Sequence, residues 1–315
     1  MKIKDNNAFL KICFLLFISC ISAYVYSFEM PRTLPLENDG VIYIIADVKK
    51  AKSIIDILPI RGLKNWQTVL VTETTHTAAA AFFNIDSGRE YQVTASGNYP
   101  RLPAAIVLFF HWQWKSHRTG TENYWFSDRS RLSISIESNQ VSMISWREHR
   151  VNPVSETNST ILPSTFINFG RGAPLSCWMK APDILLNKML ENEEIPVMIP
   201  AEELFFSLYV TRDNKIEIKF MIRFESISLA QETAANLASR TAHRRNETDS
   251  VLSSLFFANP PVQNGIYVNL VSAPLTNEDA LELIGVFRTG WRHIQLPDTQ
   301  AIPRNERTPL AHMAK

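Results

Sequence analysis

The fold is decided by the run Leu204-Phe-Phe-Ser-Leu-Tyr-Val-Thr211, which is followed after a short gap by Lys215-Ile-Glu-Ile-Lys-Phe-Met-Ile-Arg-Phe-Glu225. Apolar and polar side chains alternate in the second run, with the period of two that is typical of a half-buried strand. Asp213-Asn214 supplies a turn, so the sequence predicts an antiparallel hairpin. Burying each alternating apolar side chain would contribute about 1.5–3 kcal/mol before conformational entropy is counted. These side chains are Ile216, Ile218, Phe220, Ile222 and Phe224.

The hairpin lies inside a second unit that we predict at residues 173–295. A strand over 175–180 and a helix beginning at Pro182 precede it. A helix over 229–244 follows it, with Ser228 and Gln231 in capping-box spacing. A strand over 266–271 and a helix capped by Thr276 complete the unit.

Residues 41–150 have the same order of elements and form the first predicted unit. A strand over 41–46 leads into a helix with Asp47 as its N-cap. Further strands are expected at 77–83, 90–96, 132–137 and 141–146, with a helix over 104–112. Leu132, Ile134 and Ile136 alternate with polar residues, which predicts one wet face.

The predicted fold class is therefore α+β. It consists of two tandem βαββαβ-like units, each with an antiparallel sheet and helices packed on one face. Residues 151–172 are interpreted as the linker, because Asn152-Pro153, Pro163 and Gly170-Arg171-Gly172 interrupt the pattern. Residues 296–315 are expected to form a flexible tail. The two units share the same order of elements, and this shared order favours a duplicated domain. Their residue identities do not align well.

The amino terminus has the order of charged and apolar regions found in secretory signals. Three positively charged residues, Lys2, Lys4 and Lys11, precede an apolar run that begins at Ile12. Phe17-Ile18-Ser19-Cys20 resembles the bacterial lipoprotein signal, in which a small residue precedes a cysteine that is lipidated. The resemblance implies a signal segment at 1–19, lipidation of Cys20, and an anchor and tether at 20–40. Cleavage after Ser27 and an uncleaved membrane helix are the alternatives.

The amino-acid composition limits the classes of protein to which the chain can belong. Apolar residues make up 45% and charged residues 20% of the 315-residue chain, which excludes disorder throughout. The formal net charge of +1 gives no reason to expect a nucleic-acid partner. Three cysteines occur, and only Cys177 lies outside the amino-terminal segment, so no intramolecular disulfide framework is expected in the mature chain. Its apolar neighbours favour an inert core thiol.

The sequence lacks the short motifs that identify common enzymes. It has no Gly-x-x-x-x-Gly-Lys, no Gly-x-Ser-x-Gly, no His-Glu-x-x-His and no Cys-x-x-Cys. Its histidines do not have metal-ligand spacing. We therefore predict no catalytic residue, no cofactor and no metal site.

Trp112 and Trp114 are the candidate ligand surface, because two flat rings close together can stack on a sugar or a peptide. The alternative interpretation is that both rings seal the end of the 104–112 helix against the sheet.

The function that the sequence favours is that of an exported, lipid-anchored cell-envelope protein with a non-catalytic binding or scaffolding role. Its partners would be the membrane, through an amino-terminal lipid or helix, and an envelope protein, with the chain facing the periplasm or the cell surface. The 150–180 junction is the expected contact surface. The alternative is an envelope enzyme of hydrolase type with a dispersed site at Asp47, His76 and His111. A purely structural subunit of a larger assembly is the third possibility.

Overall fold

The strands and helices are taken from a computed structural model. It describes residue 30 and residues 32–57, 72–83, 90–99, 113–119, 122–128, 131–137, 139–145, 160–192, 198–244, 255–276, 278–280 and 282–283. The signal segment, Cys20, the predicted 104–112 helix and the predicted tail lie outside the described residues.

The described strands form a large antiparallel sheet and a small two-stranded sheet. In chain order they are β1 (Thr33–Leu34), β2 (Ile42–Asp47), β3 (Thr75–Phe82), β4 (Tyr91–Gly97), β5 (Lys115–Thr119), β6 (Glu122–Ser127), β7 (Leu132–Ile136), β8 (Gln140–Ser145), β9 (Thr160–Ile161), β10 (Leu175–Lys180), β11 (Glu203–Val210), β12 (Ile216–Arg223), β13 (Val262–Asn264) and β14 (Tyr267–Val271). The helices that accompany these strands are α1 (Val48–Ile57), α2 (Ser164–Phe169), α3 (Asp183–Asn192) and α4 (Ile227–Arg244).

The large sheet contains 12 strands in the order β13-β14-β12-β11-β10-β2-β3-β4-β8-β7-β6-β5. The two halves of the chain meet at the pair β2 and β10, in which Ile44 lies opposite Cys177. These are the first large-sheet strands of the two predicted units. One sheet therefore runs through both units, whereas the sequence led us to expect a separate sheet in each.

One face of the sheet carries the larger core. The alternating side chains of β12 that the sequence predicted to be buried all point into it, together with Leu186 of α3 and Leu237 of α4. The predicted hairpin is confirmed, with Asn214 at a φ of 57° in its turn. Asn is one of the few residues that adopt this conformation at low cost.

The other face is covered at its centre by α2 and the β1–β9 sheet. Phe166 of α2 packs on Phe205 with their ring centroids 5.7 Å apart, and Tyr43 stacks on Trp178 at 5.1 Å. Neighbouring side chains in a strand point to opposite faces, so α2 lies on the side opposite α3 and α4. The expectation that helices pack on one face is wrong for α2.

The segment expected to be a tether is ordered from Arg32 to Gly40. Its backbone is held by side chains: Gln92 accepts a hydrogen bond from the Glu37 N–H at 2.9 Å, and Thr160 donates to the Leu36 and Glu37 carbonyls at 2.8 Å each. Leu36, which belongs to this segment, is fully buried. The Pro and Gly residues of this segment therefore correctly indicated irregular backbone. The backbone is nevertheless held in place by hydrogen bonds.

The expected linker is likewise structured over residues 160–172. Thr160–Ile161 pairs with β1, and Pro163 directly precedes α2, where a missing N–H costs nothing. Gly170, which we took as a chain breaker, ends α2 instead.

Three local expectations also need correction. Strands β5 and β6 were not predicted, since their mixed charged and aromatic residues hide the alternation. Ser133 and Ser135 of β7 are buried, so the face expected to be wet is covered. The cap of α4 is Ser226, whose Oγ accepts the Leu229 N–H at 3.3 Å, and not Ser228.

Replacing Thr160→Val removes the hydroxyl that bonds the amino-terminal segment and keeps the shape of the side chain. The Leu36 carbonyl keeps the Thr160 N–H and the Glu37 carbonyl keeps the Tyr43 hydroxyl as donors, so the variant loses the net contribution of a hydrogen bond, about 0.5–1.5 kcal/mol. We expect a loss of this size in urea denaturation followed by tryptophan fluorescence. Thr160→Ser, which keeps the hydroxyl, should retain most of the stability. Equal losses in both variants would show that packing and not this hydroxyl holds the segment.

Candidate binding groove

A groove lies between α4 and the segment Met198–Pro200, which leads into β11. Side chains in this segment alternate: Ile199 is fully buried in the core, whereas Met198 is 78% exposed and Pro200 also faces outward. An extended chain forces this alternation, because successive side chains point in opposite directions. Anchoring Ile199 therefore presents Met198 and Pro200 to the groove.

Asn187 of α3 fixes the position of this segment. Its Oδ1 accepts the Ile199 N–H at 2.8 Å, and its Nδ2 donates to the Ile199 carbonyl at 3.4 Å. The Ile199 carbonyl also accepts the Ala201 N–H at 2.9 Å, so both backbone groups of Ile199 have partners. Leu186 and Leu190, on either side of Asn187 in α3, are buried in the core and hold the helix in place.

The second wall of the groove is one flank of α4. Leu229, Glu232, Thr233 and Asn236 recur at the spacing that places helix side chains on one side. Ala230, Ala234 and Leu237 lie on the adjacent flank and pack into the core. Small alanine side chains let α4 approach the sheet closely, which leaves its polar flank beside the 198–200 segment.

The groove has a volume of about 410 Å³, within the range of small ligand sites. Its lining combines an apolar end with a carboxylate, hydroxyl groups, an amide and a guanidinium. The residues are Met198, Pro200, Leu229, Glu232, Thr233, Asn236, Ser239 and Arg240. None of these described lining residues is a histidine or a cysteine.

The structure places the predicted ligand surface differently. Trp114 directly precedes β5 and is only 7% exposed, so its ring is a core contact and not an open stacking platform. Trp112 and Cys20 lie outside the described residues, and their predicted roles stay predictions. Aromatic content was a signal of burial at Trp114, which agrees with the alternative interpretation of this pair.

Two of the three residues of the alternative hydrolase site, Asp47 and His76, lie in the part of the chain that the structure describes. The Asp47 carboxylate caps α1, where it accepts the Lys50 N–H at 3.2 Å and pairs with the Lys50 Nζ at 3.2 Å. His76 sits where the register of β3 against β4 shifts, and partial burial, followed by the charge of Lys49, lowers its pKa. His111 lies outside the described residues.

The structure also shows the surroundings of Cys177 and the arrangement of the described residues that could bind a metal ion. Cys177 is buried in β10, and burial raises the pKa of its thiol, which makes it a poor nucleophile. Among the described residues, no group of three His, Cys, Asp or Glu side chains is arranged to hold a metal ion. No described helix is long and apolar enough to cross a bilayer.

The expected contact surface at 150–180 is described only from residue 160 onward. Ile161 is 77% exposed there, on the outside of the β1–β9 sheet. The groove itself lies on the opposite face, against α3 and α4. Sequence reasoning missed the groove, because Met198-Ile199-Pro200-Ala201 are all apolar and their alternating burial appears only in the structure.

Comparison with known proteins identifies a fold relationship only. No family model matches the chain, and no curated protein does so either. Crystal forms III and I of TP0453 each superpose with a TM-score of 0.54 at 13% identity. They cover 81% and 83% of this chain and 98% and 99% of TP0453. Crystal form IV has a TM-score of 0.52 at 14% identity, with coverage of 79% and 94%. Identity this low shows the fold and leaves function open.

Asn187→Ala should loosen the wall of the groove without unfolding the protein. The Ile199 N–H loses its partner, whereas the Ile199 carbonyl keeps the Ala201 N–H at 2.9 Å, and the loss costs about 1–2 kcal/mol locally. Hydrogen exchange at residues 198–201 should accelerate about tenfold, while exchange in β12 should stay unchanged. Asn236→Ala is the matched control, because the Asn236 side chain makes no hydrogen bond in the described structure. Equal exchange in the two variants would contradict the clamping role of Asn187.

Proposed function

We propose that this chain is an exported, lipid-anchored cell-envelope protein with a non-catalytic binding or scaffolding role. The observation that carries the proposal is the amino-terminal sequence, in which a positive region and an apolar run precede Ser19-Cys20. Acylation of Cys20 would attach the body to a membrane and orient it toward the periplasm or the cell surface. The partners are then the membrane and an envelope protein, without nucleic acid.

The groove supports the binding part of the proposal. Its walls are held by buried contacts, Ile199 on one side and Ala234 on the other, so the site is formed before a ligand arrives. Polar groups and apolar side chains line it together, as is usual in ligand sites. A role in binding needs nothing further from these residues.

We further propose that the two halves descend from a duplicated unit. The strand order outward from the junction of the halves is β2-β3-β4-β8 on one side and β10-β11-β12-β14 on the other. In each half a helix, α1 or α3, connects the first two of these strands. This correspondence of elements supports the tandem βαββαβ-like organisation that the sequence favoured.

The intact mass of the protein from membrane fractions tests the anchor. We expect a chain that begins at Cys20 and carries acyl groups, and we expect Cys20→Ser to lose both the acyl mass and the membrane fraction. Cys13→Ser is the matched control and should be acylated normally, because Cys13 lies in the segment that is removed. A full-length mass would overturn the lipoprotein assignment in favour of a membrane helix. Cleavage after Ser27 would overturn it in favour of a soluble exported protein.

A further inference from the structure

The layer that covers the sheet on the α2 side carries only positive charge. This β1–α2 layer consists of residues 30–36 and 160–172, which contain β1, β9 and α2. Its sequence includes two arginines, Arg32 and Arg171, and no aspartate or glutamate. In the whole chain, by contrast, 32 basic residues are balanced by 31 acidic ones. The layer is therefore a basic region on a chain that is close to neutral.

The outer side of the β1–α2 layer, away from the large sheet, presents an apolar side chain. In β9 and the residue after it, Thr160 and Leu162 are buried, so Ile161 between them points outward and is 77% exposed. It lies opposite Thr33 of β1. One exposed isoleucine indicates nothing by itself. Its significance comes from the charged groups and the chain entry beside it.

The two arginines border this outer side. In α2, Phe166 points to the sheet and is fully buried, whereas Asn168 is exposed. Arg171 follows the helix, is exposed, and donates from Nη2 to the Asn168 Oδ1 at 3.1 Å. Arg32 is exposed at the end of the β1–β9 sheet, where its carbonyl accepts the Leu162 N–H at 3.0 Å. One apolar side chain and two guanidinium groups thus occur together on a short stretch of surface.

The proposed anchor reaches the body at this same layer. The Met30 methyl group packs against Gly170 at the end of α2, where a Cβ atom would lie only 2.6 Å from it. Met30 is ten residues after Cys20, so an acylated Cys20 is at most about 35 Å from the layer. Turning α4 toward the lipid would require the same ten residues to pass stacked layers about 10 Å apart. The short connection therefore favours the β1–α2 layer as the side nearest the membrane.

A bilayer surface fits the chemistry of this outer side. Lipid phosphates accept hydrogen bonds from guanidinium groups, and the boundary between headgroups and acyl chains accommodates an apolar side chain. So small a contact would not hold a protein on a membrane alone, but the anchor makes the contact intramolecular and raises its effective concentration. A second protein fits less well, because two two-residue strands and a six-residue helix offer little area for a stable protein interface.

We propose that the outer side of the β1–α2 layer lies against the membrane that holds the amino-terminal anchor. Ile161 enters the boundary between headgroups and acyl chains, and Arg32 and Arg171 contact lipid phosphates. The inference rests on the lipid anchor proposed above and adds the orientation of the body on the membrane.

Fluorescent labels on the two sides of the body test this orientation. Asn168→Cys places a thiol on the outer side of the layer, and Ala235→Cys places one on an exposed position of α4. The dye NBD reacts with these thiols selectively, because Cys177 is buried and an acylated Cys20 has no free thiol. The acylated chain, purified from membranes, is placed in vesicles of phosphatidylethanolamine and phosphatidylglycerol. We expect iodide to quench the label at 168 about threefold less than the label at 235.

Two controls connect this shielding to the membrane contact. In the Cys20→Ser chain, which lacks the acyl anchor, iodide should quench both labels equally. Ile161→Glu in the acylated chain should raise quenching at 168 to the level at 235, while the chain still floats with the vesicles. Ile227→Glu is the matched variant, because Ile227 is also an exposed isoleucine, at 53%, but begins α4. It should leave the shielding at 168 unchanged.

The outcomes separate failure of the orientation from failure of the anchor. A chain that floats with the vesicles while both labels are quenched equally would overturn the membrane-facing layer and leave the anchor intact. Stronger shielding at 235 than at 168 would show that α4 faces the membrane and would also overturn the inference. Equal effects of Ile161→Glu and Ile227→Glu would contradict the contact at Ile161. A chain without acyl groups that does not float would overturn the anchor, and the orientation with it.

Discussion

The pairing of β2 with β10 is the interaction on which the rest of the structure depends. It places the first large-sheet strand of each half side by side, and the register that sets Tyr43 opposite Trp178 brings their rings into a stack 5.1 Å apart. On the other face, Ile42 and Cys177 of the same two strands join the core beneath α3 and α4. Because both faces are filled from this one pair, neither half has a core that ends at the junction. Separating the halves would expose aromatic and aliphatic surface together.

Sequence reasoning succeeded where structure is determined locally. The β11–β12 hairpin followed from alternation and a turn, and Asp47 was correctly identified as a cap because its carboxylate serves an N–H three residues away. It failed where distant side chains decide the outcome. Arg32 to Gly40 looks like a tether because its partners, Gln92 and Thr160, are 55 and more than 100 residues away. No local pattern encodes a backbone that is satisfied by such side chains.

The groove shows the same limit at the level of function. In the sequence, the polar flanks of α4 are equivalent, since each consists of residues that suit contact with water. The difference arises because Asn187 holds Met198 and Pro200 beside only one flank, which turns Glu232, Thr233 and Asn236 into the side of a groove. The burial of Thr233 in this wall is visible only in three dimensions. Trp114 illustrates the converse, because an aromatic residue that the sequence analysis gave as a candidate ligand surface is buried.

The position of the groove is compatible with an anchor at the amino terminus. The chain enters the body at β1, on the face that α2 covers, whereas α4 and the 198–200 segment lie on the opposite face of the sheet. Stacked layers of secondary structure are about 10 Å apart, so the entry point and the groove are separated by the full thickness of sheet and helices. A lipid attached through the amino-terminal segment would hold the β1 face toward its membrane. Because α4 and the 198–200 segment lie on the other face, a molecule in the groove would not contact the β1–β9 sheet.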